Sequence, residues 1–172
     1  MSKMIIGIMS DSHDNLDAIE RALAVFRDSN TDMVIHLGDI ISPFALAKIL
    51  EFPAKIFIVL GNNDGDIYQL RELAHKAGAY IRPHMYITTI SNKKFLLMHG
   101  MGNIEQTLQI VESIANSNRF DVILYGHTHR VDTRVIGRTL IINPGEVCGY
   151  LSNRKTVVTL DTETMSYRVI DL

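Results

Sequence analysis

The sequence is poor in the features that announce many protein classes. Cys148 is its single cysteine, so an intrachain disulfide and a cysteine-clustered zinc site are both excluded, and a reducing compartment is expected. It also lacks charge of one sign: 17 Lys and Arg face 19 Asp and Glu, leaving −2, without the basic excess that extended nucleic-acid binding normally brings. Long apolar runs are missing too, so no stretch reaches membrane-spanning length. The apolar run at 4–9 follows Lys3 but is too short for a signal-peptide core, and Ser10-Asp11-Ser12-His13-Asp14 ends it with no small-residue cleavage site. A cytoplasmic location is the expectation. No repeat, linker or low-complexity tract interrupts the 172 residues, which predicts one domain over 1–172, and a 47% hydrophobic content is enough to bury a sizeable core.

What is present alternates. Short apolar runs of strand length at 4–9, 33–37 and 56–60 are separated by amphipathic segments with helical spacing. Leu16, Ile19, Leu23 and Phe26 mark the first helix after Asp14 and Asn15, either of which suits an N-cap. Ser42-Pro43 reads as N-cap and first position of a short helix through Leu50, and Ile67, Leu70, Leu73 and Ala77 mark a third that Gly78 would stop. The second half changes to hairpins, predicted at 86–98, 131–142 and 156–170, with a helix at 104–115 capped by Asn103 and a strand at 122–125. Parallel units followed by hairpins predict an α/β fold with two mixed β-sheets packed face to face and helices outside.

The polar residues carry the functional signal through their placement. Apolar runs end in Ser10-Asp11-Ser12-His13, in Gly38-Asp39, in Gly61-Asn62-Asn63-Asp64, in His99-Gly100 and in Gly126-His127-Thr128-His129. Each alone reads as an ordinary turn or a packed histidine. Five strands that each deliver Asp, Asn or His at the carboxyl end, where α/β sheets place their sites, point to one constellation. Asp11, His13, Asp39, Asn62, His99, His127 and His129 are too many ligands for one tetrahedral zinc. They suit two divalent ions about 3.5–4 Å apart with a bridging carboxylate. Carboxylate, imidazole and amide oxygen without thiolate suit manganese, iron, zinc, cobalt or nickel alike; manganese is the expected metal. Two carboxylates cancel only half the charge of two divalent ions, and the surplus favours an anionic substrate such as a small phosphate ester.

At these residues the sequence resembles the calcineurin-like metallophosphoesterase superfamily, whose pattern is D-x-H, GD, GN-x-D/E, a His before Gly, and G-H-x-H in that order. The short length and Asn143-Pro144-Gly145 are similar to its small bacterial and archaeal phosphodiesterase branch, and the scaffold subunit of the eukaryotic retromer complex is similar to that branch as well. The resemblance implies a four-layer sandwich of two mixed sheets flanked by helices. It implies a first metal on Asp11, His13, Asp39 and His129, and a second on Asp39, Asn62, His99 and His127 with Asp39 bridging. A metal-bridging hydroxide would attack phosphorus in line, making the protein a phosphodiesterase, with phosphomonoesterase activity as a further option. Asp39, Asn63 and His99 are the residues expected to carry the chemistry. A homodimer is a further option that the resemblance leaves open.

One position departs from the family pattern. Many members have a histidine after the metal-binding Asn, credited with protonating the leaving group or holding the phosphate; here it is Asn63. An amide donates a hydrogen bond but cannot act as a general acid near neutral pH, so esters with good leaving groups are the expected substrates. The alternative is a catalytically weak protein-binding scaffold of the same fold, against which the intact ligand set argues. A nuclease would be expected to show a basic groove. Glu146, where Ser is common, has no role assigned by the sequence. His36 is expected to be packed, His75 and His84 to lie on the surface, Cys148 to be buried and unreactive, and Arg130, beside His129, to form an ordinary salt bridge rather than to reach a phosphate.

Overall fold

Turn chemistry and apolar periodicity divide the chain into β1 (Ile5–Met9), α1 (Leu16–Asp28), β2 (Met33–His36), α2 (Pro43–Leu50), β3 (Lys55–Val59), α3 (Ile67–Lys76) and β4 (Tyr80–Arg82). There follow β5 (Met85–Ile90), β6 (Lys93–Met98), α4 (Ile104–Asn116), β7 (Val122–Tyr125), β8 (Val131–Ile136), β9 (Thr139–Pro144), β10 (Thr156–Asp161) and β11 (Tyr167–Asp171). The structure is a computed structural model that describes residues 3–172. Each helix starts where a side chain satisfies an otherwise orphaned backbone donor. The Asn15 side chain accepts from the amide of Ala18, Ser42 from Ala45 with Pro43 beside it, and Asp66 from Gln69. Asn103 and Gln106 form a reciprocal capping box at α4. Such caps contribute about 1 kcal/mol apiece, less than burying one large apolar side chain at roughly 1.5–3 kcal/mol, so packing decides the architecture.

Two mixed sheets result, ordered β11-β10-β1-β2-β3-β4 and β5-β6-β7-β9-β8. In the first, β1 to β4 run parallel while β10 lies antiparallel to β1; in the second, β6, β7 and β9 run parallel between antiparallel edges. Ile6, Ile8, Ile35, Leu37, Phe95, Leu97, Leu124 and Ile142 fill the space between the sheets. On the outer face of the first sheet, Leu23 and Phe26 of α1, Leu46 and Ile49 of α2 and Leu70 of α3 share one core. Val111 and Ala115 of α4 cover Leu96, Ile123 and Tyr125 on the second. Helix, sheet, sheet and helix therefore form the four expected layers.

The third predicted hairpin returns to the first sheet, where β10 pairs with β1 in the register Ile8↔Val158. β4 is an edge strand that no apolar run announces; its three residues pair parallel with β3, and Tyr80 stacks on Phe57 with ring centroids 5.6 Å apart. The consequence for function is directional. The carboxyl ends of β1, β2 and β3 in one sheet and of β6 and β7 in the other bring their loops together at one end of the sandwich, as the hydrogen bond from the His127 amide to Asp11 Oδ2 (3.0 Å) records. Among the described residues no helix is long and apolar enough to cross a membrane.

Candidate metal centre

The backbone of these loops is unusual before any side chain is considered. Asp11, His13, Asp39, His127 and His129 all have positive φ, of 53°, 40°, 58°, 69° and 57°. L-residues avoid this region, at a cost of order 1–3 kcal/mol where the surroundings enforce it, and such residues gather at functional sites. Two glycines make the crowding possible. A Cβ on Gly38 would stand 2.6 Å from His99 Nδ1, and one on Gly61 would fall on the Asp39 carboxylate.

Buried polar side chains hold the loops in this shape. The Asp64 carboxylate accepts four backbone N–H groups, from Asp39 (3.1 Å), Ile40 (2.7 Å), Ile41 (2.9 Å) and Gly61 (2.6 Å), so it clamps the loop after β2 to the loop after β3. His36 accepts from the Gly38 amide at Nδ1 (3.1 Å), which leaves its proton on Nε2, 3.0 Å from Ser12 Oγ. Asp39 is fixed by Asn63, whose backbone amide donates to Oδ1 (2.8 Å) and whose side-chain amide donates to Oδ2 (2.7 Å).

All seven candidate ligands come together, in two overlapping groups. Asp11, His13, Asp39 and His129 each present one atom within 4.8 Å of the others, close to the spacing of ligands round one ion with bonds of about 2.0–2.3 Å. Asp39 Oδ2 lies 3.5 Å from His13 Nε2, and its Oδ1 lies 3.4 Å from His99 Nε2. In the second group His99 Nε2 is 3.1 Å from Asn62 Oδ1 and 3.3 Å from His127 Nδ1. Each oxygen of Asp39 thus serves one group.

The histidines are oriented with one nitrogen free, as metal-binding imidazoles usually are. His99 Nδ1–H donates to the Leu37 carbonyl (2.7 Å), His127 Nε2–H to the Gly102 carbonyl (2.7 Å) and His129 Nδ1–H to Glu146 Oε2 (2.7 Å). That leaves the lone pairs of His99 Nε2, His127 Nδ1 and His129 Nε2 facing inward. Asp11 Oδ1 and His13 Nε2 are buried and have no hydrogen-bond partner among the described residues. Buried polar atoms are costly unless paired, and these two face the donors a divalent cation would use. The donor set fits such an ion.

Charge in the site points the same way. Burial raises the pKa of Asp11 despite the nearby His99 and His129. For Asp39, burial is outweighed by His99 and the Asn63 amides, which hold its carboxyl well below the usual range. Burial disfavours a charged His99, yet the Asp39 and Asp11 carboxylates outweigh it and raise its pKa. The buried carboxylates draw positive charge into the site.

Other residues divide between expectation and correction. His36 and Cys148 are buried, and His75 and His84 are exposed, as expected. Arg130 is exposed and makes no salt bridge among the described residues, contrary to expectation, because β8 places Asp132 with Arg134 instead. Sequence reasoning left Glu146 without a role and did not single out Asp64. Both are fully or almost fully buried acids beside the motif glycines, and a carboxylate that cannot reach water must find N–H donors or a cation. For Glu146 the hydrogen bonds from Cys148, His129 and Ser152 overcome the upward push of burial and hold the pKa at about 2.

The calcineurin-like phosphoesterase superfamily domain matches residues 4–165. The phosphodiesterase MJ0936 of Methanocaldococcus jannaschii is 39% identical over 170 residues, covering 98% of this chain and 99% of its own. A solved structure described as a novel archaeal phosphodiesterase superposes with a TM-score of 0.90 at 38% identity, covering 98% of this chain and 100% of that one. Vps29 from Entamoeba histolytica shares the fold, with a TM-score of 0.70 at 17% identity over 98% of this chain and 99% of its own.

Proposed function

The chain belongs to the calcineurin-like phosphoesterase superfamily, and from that membership we propose that it is a binuclear metal-dependent phosphodiesterase acting on a small phosphate ester. The observation that carries the reading is the division of Asp39, one carboxylate oxygen toward His13 and the other toward His99. Asp11, His13, Asp39 and His129 would hold the first ion; Asp39, Asn62, His99 and His127 would hold the second. Manganese is the expected metal, with nickel, zinc, iron and cobalt as alternatives for this nitrogen and oxygen donor set. Bound ions supply Lewis-acid stabilisation of charge on the phosphoryl oxygens and lower the pKa of an attacking water.

The chain's own residues supply position and selectivity. Leu37, Gly102 and Glu146 fix the imidazoles, so little reorganisation is needed when charge develops. Asn63 fixes the shared carboxylate through two hydrogen bonds. Its amide cannot deliver a proton to a departing alkoxide, so turnover depends on leaving groups that depart unprotonated. Aryl diesters are therefore expected to react faster than simple alkyl diesters, and equal rates on the two would remove this role for Asn63.

The test is an assay of the metal-stripped protein on an aryl phosphodiester and an aryl phosphomonoester, with manganese, nickel, zinc or magnesium added, beside Asp39→Ala. Turnover restored by metal and abolished by the substitution supports the proposal and ranks diester against monoester. A folded protein that binds two ions but turns over neither substrate would overturn it in favour of a protein-binding scaffold.

A further inference from the structure

Glu146 is fully buried in the connection between β9 and β10, and every lone pair of its carboxylate is used. Oε2 accepts from His129 Nδ1 (2.7 Å), Cys148 Sγ (3.0 Å) and the Tyr150 amide (3.2 Å). Oε1 accepts from the amides of Leu151 (3.0 Å) and Ser152 (2.5 Å) and from Ser152 Oγ (2.6 Å). A carboxylate that merely closed a loop would need only the amides of 150–152. This one also holds the imidazole whose other nitrogen, Nε2, lies 3.4 Å from Asp11 Oδ1, an atom with no hydrogen-bond partner among the described residues. The same segment is tied to the loop after β1, with Val147 N donating to Ser10 O (3.0 Å), Cys148 N to Asp11 O (3.1 Å) and Asn15 Nδ2 to Cys148 O (3.0 Å).

We propose that Glu146 is a positioning residue that couples ion binding at His129 to the order of loop 150–152. An ion on Nε2 fixes the ring, the ring fixes the carboxylate, and the carboxylate fixes three consecutive amides. By reciprocity, loosening the loop frees the carboxylate to turn and costs His129 its orientation. The loop carries Tyr150 and Leu151, which are 61% and 72% exposed, so occupancy of the site sets how firmly two large side chains at the surface are presented. This rests on the binuclear reading above and adds a residue to it.

The experiment pairs calorimetric titration of the metal-stripped protein with manganese and hydrogen exchange of the 150–152 amides. In the unsubstituted protein, manganese is expected to slow exchange at those amides, and in His129→Ala to leave it unchanged. Glu146→Gln is expected to weaken one of two ions by about 10–100-fold, the usual effect of losing a carboxylate behind a histidine ligand, while the other stays near its original affinity. Adding Glu146→Gln to His129→Ala should weaken binding no further, because both act through one contact. Unsubstituted exchange that ignores manganese, or a Glu146→Gln titration indistinguishable from the parent, would overturn the coupling. The exchange arm decides the matter even where Glu146→Gln does not fold. A parent protein that binds no ion would instead overturn the binuclear reading itself.

Discussion

In the half of the centre built from Asp11, His13 and His129, two ligand atoms are buried with no hydrogen-bond partner among the described residues; in the half built from Asn62, His99 and His127, ligand atoms lean on one another at 3.1 and 3.3 Å. Two buried carboxylates stand behind the centre, and they act differently. Glu146 grips the side chain of a ligand, His129, whereas Asp64 grips the backbone that carries Asp39 and Gly61. Asn62 is also exposed, while Asp11 is not. On the binuclear reading, the first half offers a cation donors that no hydrogen bond competes for, and the second already satisfies part of its own. A tighter ion is expected in the first position and a weaker one in the second.

The severest way to break this comparison is Asp39→Ala, which removes the one residue common to both halves. Loss of both ions and a fall in aryl-diester turnover beyond about a hundredfold are expected, more than a supporting residue costs. Full retention of one ion in a stoichiometry measurement would make the halves independent. Sharper still is the contrast between His129→Ala and His127→Ala in a manganese titration. The first should weaken the tighter step and the second the weaker, each by more than the roughly tenfold to hundredfold that a supporting residue costs; the reverse order would overturn the assignment.

Two smaller effects probe the supports. Asp64→Asn keeps the side chain's size but puts an amide donor among four backbone donors. A stability loss of about 2–3 kcal/mol is expected by denaturant unfolding, with weakening of both ions because the clamp holds the shared Asp39. His36 ties the loop after β1 to the loop after β2 and should show itself in acid. Burial favours its neutral ring and, against the opposite pull of Asp64, holds its pKa down at about 4 from an ordinary 6.5. The unfolded chain therefore binds more protons between those values. Stability is full above pH 6.5 and falls as the pH drops toward 4, by no more than about 3 kcal/mol. His36→Gln should flatten that part of a stability-versus-pH curve, and an unchanged slope would assign the acid sensitivity elsewhere.

Much of this site was legible in one dimension because its donors sit where strands end. Asp11, Asp39, Asn62, His99 and His127 each follow an apolar run, and glycines beside them mark the close approaches at Gly38 and Gly61. The layering was legible too, from parallel units that give way to hairpins. Strand partners were not, since β10 could have extended either sheet and only packing against β1 settles it. β4 escaped because three residues on an edge need no apolar period. Glu146 and Asp64 escaped for a different reason. Their work is to accept hydrogen bonds from backbone amides, and the sequence does not print which amides will be left without partners.

The position of β10 beside β1 has a consequence for how the molecule is made. Asp11 leaves the ribosome well before its partners: the amide that holds its Oδ2 belongs to His127, 116 residues later, and the strand flanking β1 opposite β2 ends at Asp161. A nascent chain interrupted before His127 carries both carboxylates, with nothing from the later loop to complete either donor group. Domains form as units once enough chain has emerged, and metal ligands bind tightly only when folding has gathered them. On the binuclear reading, tight metal capture is expected to wait for the loop that carries His127 and His129 rather than for the carboxylates.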